Sequence, residues 1–212
     1  MKLRDRLGLS ERTQRRVTRL LQLSLVGFVF VGVDRGSAGI VVNALVALGA
    51  SELPAAATRE VDRSIDAGLA LWLTTAVFLH AVGALGPYQD VWWWDHLTHA
   101  LSASVVAAVG YATVRALQVH ADTLSFPPAF TAVFILLLVV AFGVFWEVLE
   151  FALAGVSSAV GSGAVLTQYG LDDTMLDLVF DVVGAAVVAV WGTAHVSGLT
   201  DVLVARLSAG AE

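Results

Sequence analysis

The chain has 212 residues, of which 58% are hydrophobic and only 14% charged, with a mean hydropathy of +0.80 and a formal net charge of −6. A soluble domain of this size carries about a quarter charged residues, so the composition excludes an ordinary soluble fold. The chain has no cysteine, which excludes disulfides, thiolate metal ligands and cysteine nucleophiles.

Several windows are nearly free of charge over the roughly 20 residues that a helix needs to cross the hydrocarbon core. The reading is therefore an all-α, polytopic membrane protein, a bundle of about six transmembrane helices. Residues 1–19 hold seven Lys/Arg and read as a basic cytoplasmic tail. The basic start also suits a cleaved signal peptide, but no small-x-small site follows the apolar run. Spans are predicted at 20–33, 37–56, 65–85, 93–117, 128–154 and 174–195, forming a single domain over 20–195. The remaining residues, 196–212, form a short cytoplasmic segment in which "LTDVLVARLSAG" reads as an amphipathic surface helix.

Asp34-Arg35-Gly36 separates the first two spans as a charged turn. The alternative fuses 20–50 into one long helix with Asp34 and Arg35 inside it. Cytoplasmic loops collect Lys/Arg, and that rule decides between the two. Six spans with the N-terminus inside place eleven of the twelve basic residues in the cytoplasm and leave only Arg35 outside. Fusion would move Arg59, Arg63, Arg115 and Arg206 outward. Both termini are thus expected in the cytoplasm. The Trp- and Tyr-bearing stretch "PYQDVWWW" then falls at the outer interface, where such rings prefer the headgroup level. The Gly/Ser-rich loop 156–172 also falls outside. No internal repeat, phosphate-binding glycine loop or basic nucleic-acid patch is present in the sequence, so no nucleic-acid partner is expected; the expected partners are membrane lipids.

On this map the titratable residues collect in one leaflet. His80 lies late in the third span, and Asp95, His96 and His99 open the fourth. Glu147 and Glu150 lie in the outer part of the fifth, and Asp173, Asp177 and Asp181 run down the start of the sixth. Asp95 and His99 are i, i+4, Glu147 and Glu150 are i, i+3, and the three aspartates form an i, i+4, i+8 stripe, so each set shares a helix face. An acid facing the bilayer centre costs on the order of 2.5–3.5 kcal/mol on insertion scales. These faces must therefore look into the bundle. Six carboxylates then have only Arg35 as a cationic side chain on their side. Either several are protonated or a cation lies among them. Imidazoles with carboxylates and no sulfur suit Zn, Mn or Fe, and carboxylates alone suit Mg or Ca.

Plainer roles also apply. Asp173, followed by Thr174, suits a helix N-cap, and Asp95 after the tryptophans suits a cap as well. His96 lies about 100° around the helix from Asp95, which suits a supporting or interfacial role better than ligation. Glu150 can snorkel to the headgroups. Glu147, His99, Asp177 and Asp181 resist such explanations.

With these residues in place, the chain resembles the YjdF-type family of bacterial and archaeal inner-membrane proteins over most of its length. Asp34 and Arg35 match an early Asp-Arg, and His80 a late histidine of the third span. Asp95 and His99 match an Asp-x-x-x-His, and Glu147 and Glu150 a Glu-x-x-Glu. Thr167, Gln168, Asp173, Thr174 and Asp177 match the most specific motif, with Gly184 and Ala185 following. Trp92–Trp94 stand where the family has a tyrosine, and His96 and Asp181 fall outside its pattern. The resemblance implies a location in the cytoplasmic (inner) membrane and supports the site, and it implies no particular reaction.

Three classes of function remain open on sequence. One is a metal-dependent hydrolase or transferase acting on a lipid at the outer leaflet, with His80, Asp95, His99, Asp173, Asp177 and Asp181 as candidate ligands of Zn, Mn, Fe or Mg and Glu147 and Glu150 as candidate general bases. The second is a cation- or proton-binding transport protein, for which only Asn43 and Glu52 continue a path inward. The third is a scaffold whose interhelical hydrogen bonds lock packing.

Overall fold

The structure, a computed structural model, describes residues 10–59, 61–121, 123–159, 165–166, 169–189 and 196–209. Thr167, Gln168 and the last residues of the segment expected to end at 195 lie outside the described residues. Nine helices and no strands occur among the described residues.

Helix α1 (Glu11–Asp34) begins at Ser10, whose hydroxyl accepts the Thr13 N–H at 3.2 Å. It therefore starts well before the apolar run and takes Arg12–Arg19 into its first turns. The chain reverses at Gly36, whose φ of +61° only glycine adopts without strain. Ser37 then caps α2 (Ala38–Ser51) through the Ile40 N–H. The two helices form an antiparallel hairpin. The Gln22 amide donates to Ser51 at one end, and at the other a Cβ on Gly32 would stand 2.7 Å from Val41 Cγ2. A fused helix is thereby excluded, because the close approach at Gly32 exists only if the chain folds back.

The second predicted span comprises α2 and, after a break at Glu52, the short α3 (Leu53–Thr58), with Pro54 in its first turn. Asp66 opens α4 (Ala67–Gly83) by accepting the Gly68 N–H at 2.8 Å. There follow a single turn, α5 (Pro87–Asp90), then α6 (Trp94–His120), α7 (Pro128–Ala159), α8 (Leu171–Val187) and α9 (Ser197–Ala209). Four stretches, Glu11–Asp34, Ala38–Thr58, Trp94–His120 and Pro128–Ala159, are long and apolar enough to cross a membrane. Helix α4 is apolar but shorter, and α8 carries the acidic stripe.

The helices pack as two groups. Helices α1, α2 and α4 close around Leu25, Ala47 and Ala81. Helices α6, α7, α8 and α9 close around Ala103, Ala107, Ala108, Val139, Ala185 and Val188. The groups join along α4 and α6, where the Trp72 indole donates to Ser104 at 3.1 Å. Small residues set the helix separations. A Cβ on Gly184 of α8 would collide with the Ala100 carbonyl of α6, so these two backbones nearly touch.

Polarity is inverted relative to a soluble protein. Phe30, Leu137, Phe145, Phe151 and Leu171 are exposed, whereas His96, His99, Glu147, Glu150, Asp177 and Asp181 are buried. Apolar side chains gain nothing from such exposure in water, but they match a lipid surround, where the polar groups must turn inward. The molecule is a multi-pass helical membrane protein.

Candidate metal centre

The buried polar groups converge at the end of the bundle where α6 and α8 begin. Trp94 fixes the start of α6 by donating its indole N–H to the Leu79 carbonyl of α4 at 3.1 Å, while Trp92 and Trp93 remain exposed. From there α6 presents His96 and His99, one helical turn apart, to Asp177 and Asp181 of α8. His96 Nδ1 lies 3.0 Å from Asp177 Oδ1, and His99 Nδ1 lies 3.2 Å from Asp181 Oδ1. The His96 ring also stacks on Phe180, with centroids 4.8 Å apart. Helix α7 adds Glu147, whose Oε2 accepts the Thr174 hydroxyl at 2.6 Å.

Three carboxylate oxygens lie near the other ring nitrogen of His99. His99 Nε2 faces Asp95 Oδ1 at 3.8 Å, Glu147 Oε1 at 3.9 Å and Asp177 Oδ2 at 4.0 Å. Glu147 Oε1 and Asp177 Oδ2 are buried and make no hydrogen bond. Donor atoms of Asp95, His99 and Asp177 all lie within 4.8 Å of one another. Around a tetrahedral ion with ligands at 2.0–2.2 Å, neighbouring donors stand about 3.4 Å apart. The distances from His99 Nε2, 3.8–4.0 Å, are some half an ångström wider and too long for direct hydrogen bonds. The group of Asp95, His99 and Asp177 can hold a metal ion, and Glu147 Oε1 lies beside it, 3.9 Å from His99 Nε2.

Among the described residues no Lys or Arg pairs with these carboxylates; their partners are His96, His99, Thr174 and Trp146, and for Asp173 a backbone amide. The remaining candidates stand apart from the four facing atoms. Asp181 bonds to the far side of the His99 ring. Asp173 accepts the Tyr169 N–H at 3.2 Å. It is not the N-cap, because α8 starts at Leu171 after Gly170, and Asp173 sits in the first turn instead. Glu150 accepts the Trp146 indole N–H at 2.9 Å.

His80 bonds Tyr88 through Nδ1 at 2.5 Å, and its buried Nε2 has no partner. Tyr88 also contacts Thr98 at 3.3 Å, and the Thr98 hydroxyl is committed to the Asp95 carbonyl at 2.8 Å. Burial, first, and then nearby acids push the Tyr88 phenol well above its usual pKa, against the opposing pull of the Thr98 bond. Tyr88 is therefore a neutral hydrogen-bonding group.

Thr174, Trp146 and Tyr88 also contact the cluster residues Glu147, Glu150 and His80, roles that sequence alone does not assign them. Thr174 lies i, i+3 from Asp177 and Trp146 lies i, i+4 from Glu150, so helical spacing carried a signal for both. Tyr88 sits on α5, whose packing against α4 no periodicity discloses.

Two chambers flank the cluster. A polar one of about 230 Å³ is lined by Asn43, His80, Tyr88, Asp95 and Glu150 among others. A nearly wholly apolar one of about 430 Å³ lies between α2, α4, α6 and α7 and reaches His99 and Asp181. His80 and Asn43 line both.

Fold and site together define a multi-pass membrane protein with a buried carboxylate–imidazole cluster. The chain belongs to the family described as predicted membrane protein DUF2238, whose profile matches residues 17–198. This agrees with the YjdF-type resemblance. The chain is also 35% identical over 121 residues to an uncharacterized protein of Thermotoga maritima, an alignment covering 56% of this chain and 58% of that one. The chain thus spans a little over half the length of that relative. No solved structure matches it.

Proposed function

We propose that the protein is a metal-dependent hydrolase or transferase of the cytoplasmic membrane, acting on a lipid, with its polar cluster at the outward-facing end. One observation carries this reading. His99 Nε2 lies 3.8, 3.9 and 4.0 Å from Asp95 Oδ1, Glu147 Oε1 and Asp177 Oδ2, and three of these four side chains are held by a hydrogen bond from behind. If its Nδ1–H goes to Asp181, the neutral His99 ring turns the lone pair of Nε2 toward three carboxylate oxygens. That arrangement is repulsive unless a cation or a shared proton lies between them, and the reading takes the cation. A carboxylate behind a ligating histidine is a recurrent feature of metal sites. Mixed imidazole and carboxylate donors suit Zn, Mn or Fe, and Mg is the choice if the oxygens dominate.

Glu147 is reassigned within this reading from general base to ligand, because its free oxygen faces His99. Glu150 keeps the role of base. It lines the polar chamber together with Asp95, and the Trp146 N–H holds one of its oxygens. A cation at the four-atom group would supply a Lewis acid and lower the pKa of a water toward ~7. Glu150 would take the proton from the attacking water or alcohol. The outward orientation rests on the distribution of Lys/Arg, with Arg35 alone on the cluster side.

The test is elemental analysis of the purified protein with thermal unfolding in detergent. Stoichiometric metal is expected, removable by chelator with a fall in Tm. Re-addition at a hundred times Kd should restore about 2.7 kcal/mol of stability. His99→Ala and Asp177→Asn should each abolish the metal while the protein stays helical. Metal-free wild-type protein whose Tm ignores added Zn, Mn and Mg would defeat the reading in favour of shared protons.

A further inference from the structure

The larger chamber lies where the two helix groups fail to close on each other. Helix α2 packs on α1 and α4, and α7 packs on α6 and α8, so α2 and α7 face across a cleft instead of packing together. The facing surfaces are regular stripes. Helix α7 contributes Phe142, Trp146, Leu149 and Leu153 at i, i+4, i+7 and i+11, and α2 contributes Val42, Val46 and Ala50 at i, i+4 and i+8.

The opening of this cleft is sideways. Val42, Val46 and Phe142 line the chamber and are at the same time 39%, 61% and 50% exposed on the apolar flank of the bundle. In a membrane that flank meets acyl chains, not water. The inner end of the cleft is polar, since His99 and Asp181 form part of its wall. Its roof is tied down by Asn43, whose amide donates to the Val165 carbonyl at 2.7 Å. At the junction with the polar chamber stands His80, with Nε2 buried and without a partner. An unpaired buried polar atom is costly, and a polar ligand group at the junction would offset that cost. The cleft volume falls in the range of small-molecule sites, about 300–1,000 Å³.

We propose that this cleft takes one acyl chain of a membrane amphiphile, which slides in from the bilayer between α2 and α7. The oxygen-bearing head of the lipid then lies in the polar chamber, against His80 Nε2 and within reach of Asp95 and Glu150. The proposal rests on the reading of the cluster as a reaction centre for the fate of the head, but the seating of the lipid stands on the cleft together with the polar junction at His80. Lateral access explains how a buried cluster receives a substrate that never leaves the membrane.

The experiment uses the full chain in nanodiscs containing phosphatidylglycerol with a diazirine in one acyl chain. Photolysis should label cleft residues such as Val106 and Leu149 saturably, in preference to Leu137 and Phe151 on the exposed flank. Excess unlabelled phosphatidylglycerol should compete, and a headless alkane should not. Val46→Trp, a change at the exposed mouth, should abolish cleft labelling while metal content stays at the wild-type level. Labelling spread evenly over Leu137 and Phe151, competition by the alkane, or unchanged labelling in Val46→Trp would overturn the proposal. Saturable cleft labelling in a protein without metal would uphold it and defeat only the metal reading.

Discussion

His99 is the hinge of the cluster at the scale of single residues, because its two ring nitrogens face different partners. Nδ1 meets Asp181, and Nε2 meets the oxygens of Asp95, Glu147 and Asp177. Asp181→Asn should therefore act through His99 and not by removing a ligand. The asparagine can offer its N–H₂ or its carbonyl to Nδ1, so the tautomer is no longer fixed. Metal affinity should fall roughly 10–100-fold, as for outer partners of metal-bound histidines, whereas Asp177→Asn should abolish binding. Titration calorimetry on both variants checks the contrast; equal losses would show that Asp181 is itself a ligand. The i, i+4 spacing made Asp95 and His99 legible as a pair, and the acidic stripe made Asp177 and Asp181 legible on α8. The pairing between them was not legible. That His96 meets Asp177 while His99 meets Asp181 depends on how α6 and α8 are set in height, which no single helix records.

At the scale of elements, glycines set how closely α8 approaches α6 and α7. Gly143 of α7 stands where Asp181 and Leu178 of α8 press in: an added Cβ would collide with Asp181 Oδ2 and lie 2.9 Å from Leu178 Cδ2. Gly143→Ala should push Asp181 off His99, with a loss of about 1–3 kcal/mol from overpacking and weaker metal binding. Gly155→Ala is the control on the same helix, since nothing lies within 4 Å of its added Cβ. Unfolding of both variants in detergent, read beside metal content, separates the two; equal behaviour would remove the packing argument. The helices themselves were legible from charge-free windows and from the Asp34-Arg35-Gly36 break. Their starts were less so. Helix α1 extends back to Ser10 because a hydroxyl cap and long polar side chains sustain a helix where hydropathy gives no signal. Helix α8 begins ahead of Asp173 because Gly170, not the acid, ends the preceding loop.

The whole molecule is two helix groups meeting along α4 and α6, and this division was hidden in the sequence. A helix face that meets lipid and one that meets a neighbouring helix are equally apolar, so hydropathy cannot tell cleft from contact. The small residues of α6, from Ala103 to Ala116, were the available sign that this helix is the central one. Charge does carry one whole-molecule signal, the direction of insertion. Gln89 on α5 lies at the cluster end, and Thr123 lies in the turn between α6 and α7 at the other; both are exposed. The chain has no native cysteine, so one introduced at either position is the sole target for a thiol reagent. With eleven of twelve Lys/Arg expected inside, Gln89→Cys should react with an impermeant maleimide in intact spheroplasts. Thr123→Cys should react only after the membrane is opened. The reverse pattern would turn the cluster toward the cytoplasm, and any lipid reaching it through the cleft would then come from the inner leaflet.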